Sequence, residues 1–141
     1  MRIHSKACAE HGIRPDERLY MDGRAEGLRE YCQIDNAFRS GLSGRKYQGV
    51  CPSAIHPLFL RYNNVAYMVY QTREEIKKLH NEISSKQKKV ESNKTTDKER
   101  IHLRGEIRER EKKLDELRDY LRDRERDLDD VREEARYRKR R

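Results

Sequence analysis

Beyond Tyr70 the apolar positions follow a heptad pattern that predicts two coiled-coil helices. The first helix carries the pattern at Ile76, Leu79, Ile83 and Val90, with Lys86 at an intervening core position. The pattern stops after Val90 and restarts at Leu103, Ile107, Arg110, Leu114, Leu117, Leu121, Arg124, Leu128, Val131 and Ala135. Thr96, with Glu99 three residues later, is typical of a helix-starting capping box. The sequence therefore predicts helices at about 53–92 and 97–138, joined by a turn at about 93–96.

The short polar connection favours an antiparallel hairpin in which residues 71–92 lie against about 97–120. Arginines at core positions disfavour a parallel homodimer, which would place like charges opposite each other. The rest of the second seam has no partner in that hairpin and forms a predicted interaction strip: Leu121, Leu128, Val131 and Ala135. We expect this strip to bind a protein partner or a second copy of the chain. The alternative is a rigid spacer whose strip covers the head's own helices.

Residues 1–70 have a different pattern, which predicts a small helical head. Asp16 is a candidate N-cap for a helix that runs to about Tyr31 or Cys32. One face of this helix holds residues with a predicted structural role, namely Tyr20, Gly23, Gly27 and Tyr31. Glycine within a helix costs about 1 kcal/mol relative to alanine, so we expect another backbone to pack against that face.

Residues 33–50 contain three glycines and read as an irregular loop, with Phe38 and Tyr47 as its large apolar anchors. The predicted fold class is therefore all-α. A cysteine-containing helical head, residues 1–70, is followed by an antiparallel coiled-coil hairpin tail, residues 71–141.

Composition excludes a large globular interior, because 33% of the residues are hydrophobic, 43% are charged and none is tryptophan. The net charge of +8 is thinly spread, with 24 basic and 19 acidic residues over 71–141. A one-signed patch lies at the end of the chain, where Arg138, Lys139, Arg140 and Arg141 are candidates for weak contact with an anionic surface. Nucleic-acid binding is not expected from mixed charges without interleaved aromatic residues, and is kept only as an alternative. No segment approaches the about 20 apolar residues of a membrane span.

Three cysteines are an odd number, which leaves the pairing open. His4, Cys8 and His11 fall on one helical face, and Cys32, Cys51 or His56 are conceivable further zinc ligands. Because the chain has no CxxC pair, we predict no metal and no cofactor, with a zinc or thiol-active module as an alternative. A Cys8 nucleophile with His11 as base lacks an orienting residue, so the chain is not predicted to be an enzyme.

The strings CAEHGIRPD, YMDGRAEGLREYC and YQGVCP, together with NAF and GLSG, resemble one bacterial family over residues 2 to 70. This family is domain of unknown function 2799, a group mostly of envelope lipoproteins. The resemblance brings no reaction with it. Family members typically carry a signal peptide, a lipid-attachment cysteine and a further cysteine-containing segment that this sequence lacks, so the chain is expected to start inside the domain. Ala37 and Val65 stand where the family commonly has glycine.

The resemblance implies the periplasm, or the periplasmic face of the outer membrane, as the compartment. It also implies a Cys32–Cys51 disulfide with Cys8 unpaired, and a lipid anchor in the parent protein. Reduced cysteines would instead indicate the cytoplasm. The function expected on this basis is a non-enzymatic envelope structural or protein-interaction module that docks through its coiled coil.

Overall fold

The computed structural model describes residues 9–12, 14 and 16–140. Within that part of the chain lie four helices, which we number α1 (Glu17–Tyr31), α2 (Ile34–Leu42), α3 (His56–Glu91) and α4 (Asp97–Lys139). No strand occurs among the described residues. The predicted all-α class, with a disulfide-bearing head and an antiparallel hairpin, is confirmed.

Helix α1 begins where Asp16 caps it, because its carboxylate accepts hydrogen bonds from the amides of Arg18 and Leu19 at 2.9 and 3.1 Å. The expectation that another backbone packs against its glycine face is wrong as far as the described residues go. Among them, a Cβ placed on Gly23 or Gly27 would meet nothing within 4 Å, and no residue of α1 is buried. The helix meets the core near its end, through Leu28 and Tyr31.

Helix α2 occupies much of the segment that the sequence led us to treat as an irregular loop over 33–50. That prediction is wrong for residues 34–42, and the reason is visible in the spacing. Apolar or small residues recur at three- and four-residue steps, at Ile34, Ala37, Phe38, Gly41 and Leu42. This face packs on α3, and Phe38 stacks on Tyr62 with ring centroids 5.0 Å apart.

Helices α3 and α4 form the hairpin, with 36 and 43 residues respectively. Ion pairs between them show the antiparallel order, since residue numbers rise in one helix as they fall in the other. The N–O distances are 2.9 Å for Arg61–Glu134, 2.7 Å for Arg73–Glu125 and 2.8 Å for Lys86–Glu106. The charged residues at core positions are paired across the hairpin, as Lys86 is with Glu106 and Arg110 with Glu82.

The buried apolar residues form two clusters along this hairpin. The distal cluster comprises Leu79, Ile83, Ile107 and Leu114. The larger cluster lies in the head and joins residues of α2, α3 and α4, with the disulfide at its edge. Because α3 runs through both clusters without a break, the head and the hairpin share one continuous helix.

The predicted interaction strip belongs to the head cluster. Leu128, Val131 and Ala135 are only 4 to 7% exposed there, and Leu121 packs against them. Its assignment as a docking surface is therefore wrong, and the alternative in which the strip covers the head's own helices is the one observed. The physical reason is that the first half of α3, which the sequence led us to assign to the head alone, lies against the second half of α4.

Candidate functional site

The head is closed by a disulfide between Cys32 and Cys51, which are 19 positions apart in sequence with Cα atoms at 5.6 Å. Cys32 caps the end of α1, and Cys51 lies just before α3. Both cysteines are buried. The bridge therefore ties the end of α1 to the start of α3 and encloses α2 and the segment after it. Cys8, predicted to be unpaired, lies outside the described residues.

Tyr47 fills the space beneath the disulfide. Its hydroxyl accepts a hydrogen bond from the amide of Cys51 at 2.9 Å and lies 3.0 Å from Nδ1 of His56. Its ring, 6% exposed, packs on Phe59 with centroids 4.8 Å apart. One side chain thus supports both the bridge and the first turn of α3.

Asn63 is the polar centre of the head and is fully buried. Its side-chain oxygen accepts a hydrogen bond from the amide of Tyr47 at 2.8 Å. Its side-chain nitrogen donates to Ser40 Oγ at 2.9 Å and to the carbonyls of Arg45 and Ala37 at 3.0 and 3.2 Å. A buried amide satisfied in this way holds the segment between α2 and the disulfide against α3.

Two glycines permit close approach around this centre. A Cβ on Gly41 would stand 2.6 Å from the carbonyl oxygen of Asn63 and 2.9 Å from the amide nitrogen of Tyr67. Gly44 has a φ of +80°, and a Cβ there would meet the Tyr70 ring at 2.5 Å. The contact between α2 and α3 therefore depends on the missing side chains.

Glu134, near the end of α4, connects that helix end to the start of α3. Arg61 pairs with both of its carboxylate oxygens, at 3.1 and 2.9 Å, and Arg138 donates to it at 3.0 Å. The hydroxyl of the buried Tyr62 donates to the same carboxylate at 3.1 Å. The hydrogen bond from Arg61, followed by those from Arg138 and Tyr62, lowers the pKa of Glu134, whereas burial and the carboxylate raise the pKa of Tyr62.

The head side chains considered as zinc ligands have other partners. Cys32 and Cys51 are bonded to each other, so neither offers a thiolate, and His56 contacts Tyr47. His4 and Cys8 lie outside the described residues. Within the described part of the chain, no three His, Cys, Asp or Glu side chains come together as a metal site.

The basic residues at the carboxyl end are not a free patch. Arg138 pairs with Glu134, and Lys139 reaches back to Asp35 of α2. Arg140 is exposed, and Arg141 lies outside the described residues. The prediction of a four-residue contact with an anionic surface is therefore wrong for two of its members, because Glu134 of α4 and Asp35 of α2 already pair with them.

The far end of the hairpin carries the other notable set of side chains. We define the apex as the turn 92–96 together with the helix ends beside it, including Lys89, Lys98 and Leu103. An open groove at the apex is lined by Lys89, Lys94, Thr95, Lys98, Glu99, His102 and Leu103. The three lysines are exposed, and beside them Ile101 is 70% exposed. The apex thus combines cationic and apolar surface.

Sequence reasoning missed Asn63 and Glu134. A signal for Asn63 was present, since it lies within the apolar stripe of Phe59, Tyr62 and Ala66, where a polar residue must find buried partners. Glu134 had no such signal, because it is one acid among many in α4. Its role arises only when the end of α4 folds back onto α3.

The model of the family described as "Protein of unknown function (DUF2799)" matches residues 1–67, which confirms the resemblance over that part of the chain. No curated protein matches the chain. No solved structure matches it either. Among the described residues, no helix has both the length and the apolar character needed to cross a membrane.

Proposed function

We propose that this chain, whose first 67 residues match a family of unknown function, is a non-enzymatic structural or protein-interaction module of the bacterial cell envelope. In this proposal the disulfide-bonded head is the base and the hairpin is the docking arm. The observation that carries the proposal is the continuity of α3, which runs from His56 beside the disulfide to Glu91 at the apex. A helix of this length projects about 50 Å.

The Cys32–Cys51 bridge supports an oxidising compartment, because disulfides persist outside the cytosol and are rare within it. It also supports a structural role for the head. The loop that it closes has a small apolar content, and a bridge across such a loop contributes roughly 3 kcal/mol to stability.

The polar side chains of the head support a structural role as well. Asn63 and Tyr47 hydrogen-bond to backbone groups of the segment they hold, and Glu134 is engaged by Arg61, Arg138 and Tyr62. Each of these groups has protein partners. Such contacts stabilise a scaffold, whereas catalysis needs polar groups directed at a bound substrate.

Because Leu128, Val131 and Ala135 are buried, a partner must dock on another surface of the hairpin. The exposed sides and apex of the hairpin remain for a protein partner or a second copy of the chain. Where the hairpin sides are charged, ion pairs such as Lys113–Glu75 mix the two signs. A partner bound there would have to complement the shape of the hairpin and its alternating positive and negative charges, rather than a surface of a single charge.

Two measurements on the native cell test this function. The first is thiol trapping, with acid quenching and alkylation before and after reduction. We expect Cys32 and Cys51 to resist alkylation until they are reduced, and modification of both without reductant would overturn the envelope assignment.

The second measurement is photo-crosslinking from single positions in the living cell. A crosslinker at exposed Gln87 of the hairpin should give a discrete protein adduct, whereas one at exposed Gln48 of the head is the matched control. Adducts from Gln48 alone, or from neither position, would contradict docking through the hairpin. An adduct to nucleic acid that disappears steeply with salt would favour the alternative of a basic nucleic-acid-associated protein.

A further inference from the structure

The apex is a rigid surface, because hydrogen bonds fix both helix ends and the turn between them. Thr96 caps α4 through the amide of Glu99 at 3.3 Å, and Glu99 accepts from the amide of Thr96 at 2.9 Å. Across the turn, Thr95 Oγ1 donates to the carbonyl of Lys89 at 2.6 Å. Arg100 donates to the carbonyls of Ser92 and Thr95, both at 3.2 Å. The backbone positions from which the lysines project are therefore fixed.

The apex also carries an excess of positive charge, as the carboxyl end of α4 does. Residues 86–104 contain seven Lys and Arg against three Asp and Glu. Lys89, Lys94 and Lys98 are exposed, and the structure gives them no ion pair among the described residues. Along the hairpin sides, by contrast, ion pairs engage basic residues such as Arg73, Arg110 and Lys113. Glu99, the acid that lines the groove, accepts hydrogen bonds from Thr96.

Apolar surface accompanies these lysines. Ile101 is 70% exposed and lies one helical turn from Lys98 on one side and Arg104 on the other. Leu103 is half-buried and lines the groove between the two helix ends. An exposed isoleucine between a lysine and an arginine, at a helix end with an excess of positive charge, suits contact with the interfacial region of a lipid bilayer.

We propose that the apex binds the surface of a membrane that contains anionic phospholipids, with the lysines on the headgroups and Ile101 entering the interface. This inference rests on the proposed function, since it assigns a ligand to the docking arm. The carrying observation is charge complementarity between a cationic apex and anionic headgroups, which acts together with the exposed Ile101. The disulfide-bonded head would then stand at the length of the hairpin from the bilayer.

The same features disfavour nucleic acid as the ligand of the apex. The chain has no Phe, Tyr or Trp between Tyr70 and Tyr120, so the distal hairpin lacks the large aromatic rings on which successive bases stack. Phosphate tracking requires a continuous path of positive charge, whereas basic and acidic residues alternate along the sides of the hairpin. A narrow cationic end with an apolar residue suits a flat surface better than a groove.

Sedimentation of the full, oxidised chain with lipid vesicles tests the proposal. The vesicles are phosphatidylcholine alone or equal parts phosphatidylcholine and phosphatidylglycerol, at low and at physiological salt. We expect binding to the mixed vesicles that weakens with salt. Each lysine at an anionic surface contributes a factor of about five, so the variant K89E/K94E/K98E, which reverses three charges, should bind at least about a hundredfold more weakly. Ile101→Ser, which leaves the charge unchanged, should weaken binding at both salt concentrations because it removes the apolar contribution.

The matched control is K46E/K78E/K112E, which changes the net charge equally at exposed lysines away from the apex. It should bind mixed vesicles nearly as well as the natural chain. Equal losses in the two triple variants, or equal binding to both kinds of vesicle, would overturn the proposal in favour of a general charge effect or of none. Free inorganic phosphate is added as a competitor, and full competition at millimolar concentration would indicate a soluble anion site instead. Failure here leaves the cellular thiol and crosslinking results intact, so the two proposals fail separately.

Discussion

The amide nitrogen of Tyr47 donates to the side-chain oxygen of Asn63 at 2.8 Å, across 16 positions of sequence. This one contact connects the segment beneath the disulfide to the middle of α3. Because Asn63 is fully buried and bonds at both ends of its amide, the head needs a side chain that accepts and donates at this position.

Replacing Asn63 with aspartate should therefore destabilise the head. A carboxylate keeps the acceptor for Tyr47 but cannot donate to the carbonyls of Ala37 and Arg45, and its charge would be buried without a counterion. We expect a loss of about 3 kcal/mol in the free energy of unfolding, measured by urea denaturation. The neighbouring half-buried Asn64→Asp is the control, and equal losses in both variants would contradict the role of Asn63.

Gly41→Ala and Gly23→Ala should act in opposite directions. At Gly41 the new Cβ meets α3 backbone atoms at 2.6 and 2.9 Å, so we expect a loss of about 2 kcal/mol. At Gly23 the Cβ meets nothing within 4 Å, and alanine should stabilise the helix by about 1 kcal/mol. Thermal unfolding of the two variants measures both effects. Destabilisation by Gly23→Ala would mean that the glycine face is packed after all.

Leu128→Ala tests whether the strip at the end of α4 is part of the core. Leu128 is 4% exposed, so its truncation should cost about 3 kcal/mol by leaving a cavity. Leu19, which is 70% exposed, provides the control, and Leu19→Ala should change stability by less than about 0.5 kcal/mol. A Leu128→Ala variant as stable as the natural chain would return the strip to the role of a partner surface.

Removal of the disulfide should loosen the head and leave the distal hairpin intact. In the variant C32S/C51S we expect a loss of roughly 3 kcal/mol, because the unfolded loop regains its freedom. Hydrogen exchange should accelerate across α2 and the following segment, while the cluster around Ile83 and Leu114 keeps its protection. Cys8→Ser is the control. Equal acceleration along the whole hairpin would show that the two clusters unfold together.

The Glu134 network should make stability fall in acid. Pairing with Arg61 lowers the folded-state pKa of Glu134 below its ordinary value of 4.5, so the network contributes stability above that pH. The contribution is lost as the pH falls below 4.5 and the carboxylate takes up a proton. The difference in melting temperature between the natural chain and Glu134→Gln should therefore be large at neutral pH and shrink in acid. Exposed Glu133→Gln is the control, and a difference that persists at low pH would contradict the assignment.

The sequence predicts the hairpin well because its signals are local and repeated. The capping box at Thr96 and Glu99 fixes the start of α4, and the heptads identify residues such as Leu79 and Leu114 that meet across the hairpin. Each of these signals is short-range or periodic. They can therefore be recognised in the sequence without knowledge of the rest of the fold.

The head is harder to predict, because its contacts join distant segments. Glycines made 33–50 resemble a loop, although Gly41 lies within a helix where α3 approaches closely. In α1 a similar glycine pattern indicated packing, yet that face is open. The same residue type marks close approach in one helix and not in the other, so only the tertiary structure distinguishes them. The prediction that the strip at Leu128 is a docking surface was wrong for a related reason, since the strip packs against the first half of α3.

Helix α3 passes without interruption from the disulfide to the apex. The length of the hairpin therefore determines how far the apex is rotated, about the hairpin axis, relative to the head. Each residue inserted in a helix turns everything beyond it by about 100° and moves it about 1.5 Å outward. An insertion of seven residues at matched heights in both helices would lengthen the hairpin by about 10 Å and would leave the rotation of the apex nearly unchanged. An insertion of five would aim Lys94 and Ile101 at the opposite side. Natural length changes in this arm are thus expected in steps of whole heptads, because only such steps keep the apex facing nearly the same direction.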